Sequence, residues 1–193
     1  LQASVGAIIG GGYQNKVKLS NYSGVFAGYR NLVTGSTLSV IVGGSTNKIS
    51  GSSEAVIAGG VTNYILTSEY GFLGGGETNT ITGSTNGAVV AGDSNLLIDT
   101  ASGTIGGGSV NKISGASTST VAGGSQNQIL DATAASLAGG LKNQIIGPTS
   151  DYSFIGGGNV NTINNSYQSL VGTGEYNLIK NSTGSTIVGG QYG

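Results

Sequence analysis

Two columns of large aliphatic residues run through the chain in fixed register with a recurring asparagine. The asparagines are Asn15, Asn31, Asn47, Asn63, Asn79, Asn95, Asn111, Asn127, Asn143, Asn161 and Asn177, spaced 16 residues apart except for one step of 18. Six positions before each stands Ile9, Val25, Ile41, Ile57, Leu73, Val89, Ile105, Val121, Leu137, Ile155 or Val171, and Ile187 continues the column. Two positions after each stands Val17, Val33, Ile49, Ile65, Ile81, Leu97, Ile113, Ile129, Ile145, Ile163 or Ile179. β-Branched residues dominate both columns, which favours strands over helices. Each repeat therefore predicts two short strands. Side-chain alternation puts the asparagine on the same face as the aliphatic that follows it.

Turn residues separate the strands. Three positions before each asparagine is Gly12, Gly28, Gly44, Gly60, Gly76, Gly92, Gly108, Gly124, Gly140, Gly158 or Gly174, and Gly190 opens a last, truncated repeat. These glycines free the backbone for positive φ. Four positions after the asparagine, Gly35, Gly51, Gly83, Gly115, Asp99, Asp131, Asn165 and Asn181 mark a second turn, all residues that tolerate the left-handed region. A fixed period along a whole chain is the signature of a solenoid. The expected fold is all-β: a parallel β-solenoid of β-roll type, with two short strands per 16-residue coil and about twelve coils. Residues 1–193 read as a single array, with a two-residue insertion within 146–152. Stacking would turn the asparagines into a ladder whose buried amides bond to one another and to turn backbone. A structural role in the turn is weighed there against a polar binding row.

The column five before the asparagine is never polar: Gly10, Phe26, Val42, Ala58, Gly74, Val90, Gly106, Ala122, Ala138, Gly156, Gly172 and Val188. It alternates with the interior aliphatic and so faces outward. Two residues further back, Ile8, Val40, Val56, Phe72, Phe154 and Leu170 extend the apolar character. A strand apolar on both faces is buried on both, and a long apolar stripe marks a contact surface. One such stripe of small and apolar residues per coil predicts a homotrimer packed through Phe26, Val42, Ala58, Val90, Ala122, Ala138 and Val188. The other strand's outer face is wetter, with Lys16, Lys48, Lys112, Gln128 and Gln144.

Composition narrows the classes. Seven basic and eight acidic residues in 193 argue against a nucleic-acid-binding protein built on overall positive charge. With no Cys, a disulfide framework and a thiolate metal site are excluded. No apolar run is long enough for a membrane-spanning helix. The sequence begins at Leu1 and both ends fall inside repeats, so a piece of a longer polypeptide is expected.

The runs Ser39-Val40-Ile41-Val42-Gly43-Gly44-Ser45-Thr46-Asn47 and Ser119-Thr120-Val121-Ala122-Gly123-Gly124-Ser125-Gln126-Asn127 carry a resemblance that extends over the whole chain. It resembles the YadA-like head repeats of trimeric autotransporter adhesins. It is still more similar to the S-x-V-x-G-G-x-x-N repeats of trimeric phage and viral fibre proteins. Adhesin heads usually run a slightly shorter repeat without this asparagine. The resemblance implies a left-handed coil, a trimer, an extracellular, cell-surface or virion-surface location and an attachment role, and it transfers no catalytic residues.

Candidate chemistry is sparse. The Gly-Gly-x-x-Asn unit is compared with the Ca²⁺-binding nonapeptide repeat, but spacing and charge differ, so neither metal nor cofactor is expected. Glu77 and Asp93 share a column in successive coils, at a separation near that of a glycosidase pair, yet read more simply as solvated surface acids. Tyr13 with Tyr29, and Tyr176 with Tyr192, are candidate ligand contacts as aromatic platforms for sugars; the plainer reading is surface β-formers covering the turn. The expectation is a non-enzymatic shaft or head segment of a trimeric fibre. Its partners would be its own copies and a cell-surface glycan or protein receptor, without nucleic acid or membrane insertion. Two alternatives stand beside it: an ice-binding solenoid, for which Thr46, Thr62 and Thr78 form a short row, and a carbohydrate-active enzyme on the same scaffold.

Overall fold

The computed structural model describes residues 2–192. The protein is a parallel β-solenoid with two strands per 16-residue turn, in which the described residues form no helix. It divides into two compact units, 2–94 and 95–192.

In the first unit one sheet is made of two-residue strands: Ile8–Ile9, Gly24–Val25, Val40–Ile41, Val56–Ile57, Phe72–Leu73 and Ala88–Val89. The other is made of three-residue strands: Lys16–Lys18, Leu32–Thr34, Lys48–Ser50, Tyr64–Leu66 and Thr80–Thr82. The second unit repeats the plan. Its two-residue strands are Thr104–Ile105, Thr120–Val121, Ser136–Leu137, Phe154–Ile155, Leu170–Val171 and Thr186–Ile187. Its three-residue strands are Leu96–Ile98, Lys112–Ser114, Gln128–Leu130, Gln144–Ile146, Thr162–Asn164 and Leu178–Lys180. All pairing is parallel and stacks like on like: Ile41 on Ile57, Ile49 on Ile65, Ile113 on Ile129.

The core of each unit is the two aliphatic columns facing one another across the coil. Ile41, Ile49, Ile57, Ile65, Leu73 and Ile81 are fully buried in the first, and Ile105, Ile113, Val121, Ile129 and Ile145 in the second. Two further interior columns are built from small residues, five and eight positions after the asparagine. In the first unit they hold buried serines, Ser20, Ser36, Ser52, Ser68 and Ser84 in one and Ser23 and Ser39 in the other, with Ala55 following; Ala116, Ala132 and Ala135 stand in them in the second unit. Each hydroxyl is doubly used. Ser52 Oγ donates to the Ser50 carbonyl at 3.1 Å and accepts the Ser68 N–H at 3.1 Å. Where serine stands in these columns, its hydroxyl thus replaces a backbone partner at the corner, where the ladder geometry fails.

The corners also rely on the left-handed backbone. The glycine three before the asparagine has φ of 88° at Gly44, and a Cβ there would collide with the Gly60 carbonyl and the Asn47 amide. Three other columns take positive φ with ordinary side chains: one before the asparagine, and four and seven after it. Thr46, Thr62 and Thr78 sit at 58–60°, and Val110 and Val160 at 58° and 56°. For β-branched residues this is an unfavourable region, costing about 1–2 kcal/mol each. Stacking bonds hold it in place: Thr62 N–H donates to the Ser45 carbonyl and Val160 N–H to the Leu141 carbonyl of the previous coil, both at 2.9 Å.

The insertion lies at Pro148 and Thr149. Gly147 takes φ of 102°, Ser150 N–H bonds back to the Gly147 carbonyl, and Ser150 returns to the buried serine column. The chain therefore bulges outward and resumes register within one turn.

Candidate functional site

Two kinds of surface are candidates, the outward faces of the sheets and the corner carrying the asparagines. Asn47 typifies the corner. Its Oδ1 accepts the Asn63 N–H at 2.9 Å, and its Nδ2 donates to the Gly43 carbonyl at 3.1 Å and the Gly60 carbonyl at 2.9 Å. Asn111, Asn127 and Asn143 repeat the pattern in the second unit. Direct amide-to-amide bonds join Asn79 to Asn63, Asn161 to Asn143 and Asn177 to Asn161. Backbone, rather than the neighbouring amide, is the recurring partner. The two Nδ2 hydrogens of Asn47 are taken by two turn carbonyls and its Oδ1 by a backbone N–H, which leaves the direct amide bond secondary. Asn31 through Asn177 are buried, Asn15 partly so. Their polar atoms point inward and are spent on the fold.

The outer face of the two-residue-strand sheet carries the predicted contact column. Phe26, Val42, Ala58 and Val90 are exposed in the first unit, and Ala122, Ala138 and Val188 in the second. In the first unit this face bears no polar side chain: each strand and the residue after it contribute Ile8 and Gly10, Gly24 and Phe26, Val40 and Val42, Val56 and Ala58, Phe72 and Gly74, Ala88 and Val90. The largest residues, Ile8, Phe26 and Phe72, are each paired with a glycine on the same strand face. The Phe72 ring edge lies 3.5 Å from where a Cβ on Gly74 would stand, and Phe154 covers Gly156 in the same way at 3.4 Å. The second unit departs from the apolar pattern, with Thr104, Thr120, Ser136 and Thr186 on that face. Sequence reading extended the apolar column through residues that fit it and passed over these hydroxyls.

The tyrosines pair as expected. Tyr13 and Tyr29 stack at 5.6 Å with planes 6° apart, and Tyr176 and Tyr192 at 5.3 Å and 7°. In each pair one face of each ring is turned to its partner, and the side chains remain exposed. Arg30 lies 4.8 Å from the Tyr29 ring centre, and its Nε donates to Gln14 Oε1 at 2.7 Å. Glu77 and Asp93 are bridge partners in adjacent coils, with Ser94 Oγ donating to Asp93 at 3.0 Å. Among the described residues no group of three or more acidic, His or Cys side chains is gathered as metal ligands would be.

Grooves run beside the asparagine corner. In the first unit one is lined by Gln14, Lys16, Arg30, Asn31, Leu32 and Thr46; in the second, another by Val110, Gln126, Gln128, Lys142, Gln144 and Val160. Sequence reading missed both. Their walls are the residues just before and just after each asparagine, columns whose character is visible only once the repeats are aligned.

The fold and these surfaces define a β-solenoid repeat protein with an interior of aliphatic, Asn and Ser ladders. No protein-family model matches the chain, and no curated protein matches it.

Proposed function

We propose that this chain is a segment of a trimeric extracellular fibre, on a cell or virion surface, that projects or mediates attachment. The observation that carries the reading is the outer face of the first unit's two-residue-strand sheet. Phe26, Val42, Phe72 and Val90 are 42–49 % exposed there, with no polar side chain among them. A stripe of this kind, repeated once per coil, fits a self-complementary contact between copies. Three stripes meeting about an axis bury one another with no unpaired edge. Unspent hydrogen-bonding capacity on the flanks leaves them free for a receptor.

Sedimentation equilibrium tests the proposal. A species of three times 18.9 kDa is the expected result. A monomer at every concentration would remove the fibre reading. Thermal hysteresis in that monomer would then favour the ice-binding alternative, which has exposed or half-exposed Thr46, Thr62 and Thr78 in one column.

A further inference from the structure

The seven basic residues are not scattered. Lys16, Lys48 and Lys112 stand one after the asparagine, Lys18 and Lys180 three after, Arg30 and Lys142 one before. All therefore lie on the outer face of the three-residue-strand sheet or the groove beside it. The eight acidic residues occupy other columns: Glu77, Asp93 and Glu175 two before the asparagine, Asp99 and Asp131 four after, Glu69 and Asp151 in the column six after, Glu54 seven after. The first unit is further divided along its length. Its four cations, Lys16, Lys18, Arg30 and Lys48, all precede its four acids, the first of which is Glu54. Three successive coils thus present four positive charges and no negative one.

We infer that this patch binds an acidic polysaccharide. The inference sharpens the attachment part of the function proposed above and rests on it. Charge supplies the attraction, and spacing selects the polymer. Lys16 and Lys48 occupy the same column two coils apart, about 9.5 Å. Nucleic acid carries a phosphate about every 3.4 Å along each strand, far denser than this patch. A chain of sugars with a carboxylate on every second ring matches it better. The four acids from Glu54 onward would also repel a long, dense polyanion laid along the unit. The remaining groove residues suit sugar rather than phosphate. Gln14 and Thr46 offer partners for sugar hydroxyls, Leu32 gives an apolar floor, and the stacked, exposed Tyr13 and Tyr29 stand in the next column. Arg30 is pre-positioned, since its bond to Gln14 and its place over Tyr29 hold the guanidinium while its terminal nitrogens remain for a carboxylate.

The test is binding of the full chain to hyaluronan, with neutral dextran and a single-stranded oligonucleotide of matched length as comparisons, at low and physiological salt. The variant K16Q/K18Q/R30Q/K48Q removes the patch, and K112Q/K142Q/K180Q removes the same number of columns elsewhere. Hyaluronan should bind, dextran should not, and the first variant should weaken binding about 10- to 100-fold while the second changes it less than about threefold. Circular dichroism of both variants verifies that these exposed substitutions leave the fold intact. Equal loss in both variants, binding of the oligonucleotide tighter than hyaluronan, or no hyaluronan binding at low salt would each overturn the inference. Sedimentation of the same samples separates the two proposals. A trimer that ignores hyaluronan sinks only this one; a monomer with patch-dependent binding sinks only the fibre reading.

Discussion

At the column seven before the asparagine the first unit places Ile8, Gly24, Val40, Val56, Phe72 and Ala88, whereas the second places Thr104, Thr120, Ser136, Phe154, Leu170 and Thr186. The groove beside the asparagines differs as well: two cations, Lys16 and Arg30, line it in one unit, and a single cation, Lys142, stands among Val110, Gln126 and Val160 in the other. Inside, the aliphatic and asparagine columns agree: Ile49 and Ile113 fill the same place, and Asn47 and Asn111 make the same bonds. Interior positions answer to stacking, which is identical at every coil. Outer positions answer to whatever touches them. Inside, the divergence is limited to small-for-small exchanges, Ser52 against Ala116 for example, whereas outside it changes polarity and charge; this places function on the faces, with the apolar contact and the cationic groove strongest in the first unit.

The largest effect should come from charge on the contact face. Val42→Asp would place a carboxylate from every copy in one interface, costing about 3–5 kcal/mol per unpaired buried charge. Sedimentation should show the trimer lost, while circular dichroism stays unchanged because Val42 faces outward. Ala122→Asp should weaken assembly less, since hydroxyls already line that unit's face. Equal effects would erase the distinction between the units.

Next come the asparagines. Asn127→Asp sets a carboxylate oxygen against the Gly123 and Gly140 carbonyls, now 2.9 and 3.0 Å from the amide nitrogen. Asn63→Asp does the same at Gly59 and Gly76, at 3.1 and 2.9 Å. Chemical denaturation should register about 3–5 kcal/mol in either unit. Asn→Ala at the same sites, which deletes the group and orphans its partners, should cost about 1–3 kcal/mol. A large inequality between the two positions would mean the interiors are not equivalent.

The serine column sharpens the comparison further. Ser52→Ala leaves the Ser68 N–H without its 3.1 Å acceptor and should cost about 1–2 kcal/mol. The second unit has Ala116 and Ala132 in that column, so Ala116→Ser should be neutral or gain up to about 1 kcal/mol. The smallest change is Thr62→Gly. Relief of a β-branched residue at φ 58° is nearly offset by glycine's greater freedom when unfolded, leaving a gain of about 0.5–1 kcal/mol in thermal denaturation.

The aliphatic columns, the asparagine column and the turn glycines were legible in the sequence because each demands one chemistry at one spacing. The serine columns were not recognised, although their signal was present. Ser20, Ser36, Ser52, Ala116 and Ala132 share a place where no residue exceeds threonine in size. In a chain rich in Ser and Thr this column does not stand out, and only the coil's closure shows that it faces the core. Positive φ at Thr46, Val110 and Val160 was not legible either, because those side chains argue against it locally and ladder bonds impose it from neighbouring coils. The segregation of Lys16, Lys18, Arg30 and Lys48 vanished in the near-zero net charge and emerges only when charges are assigned to columns. For the interaction surfaces, the sequence supplied the residues but not the second-unit hydroxyls or the grooves, which depend on how adjacent columns stand beside one another.

The most direct test of the account uses the chain's lack of cysteine. Val42→Cys places a single thiol on the proposed contact face, and Thr80→Cys places one on the outer face of the other sheet. Reaction with a bulky thiol reagent is then followed for each at the native assembly concentration. The account predicts that the thiol at position 42 is protected until the assembly is dissociated while that at position 80 reacts freely. Equal, rapid reaction at both positions would show an open apolar face and contradict it.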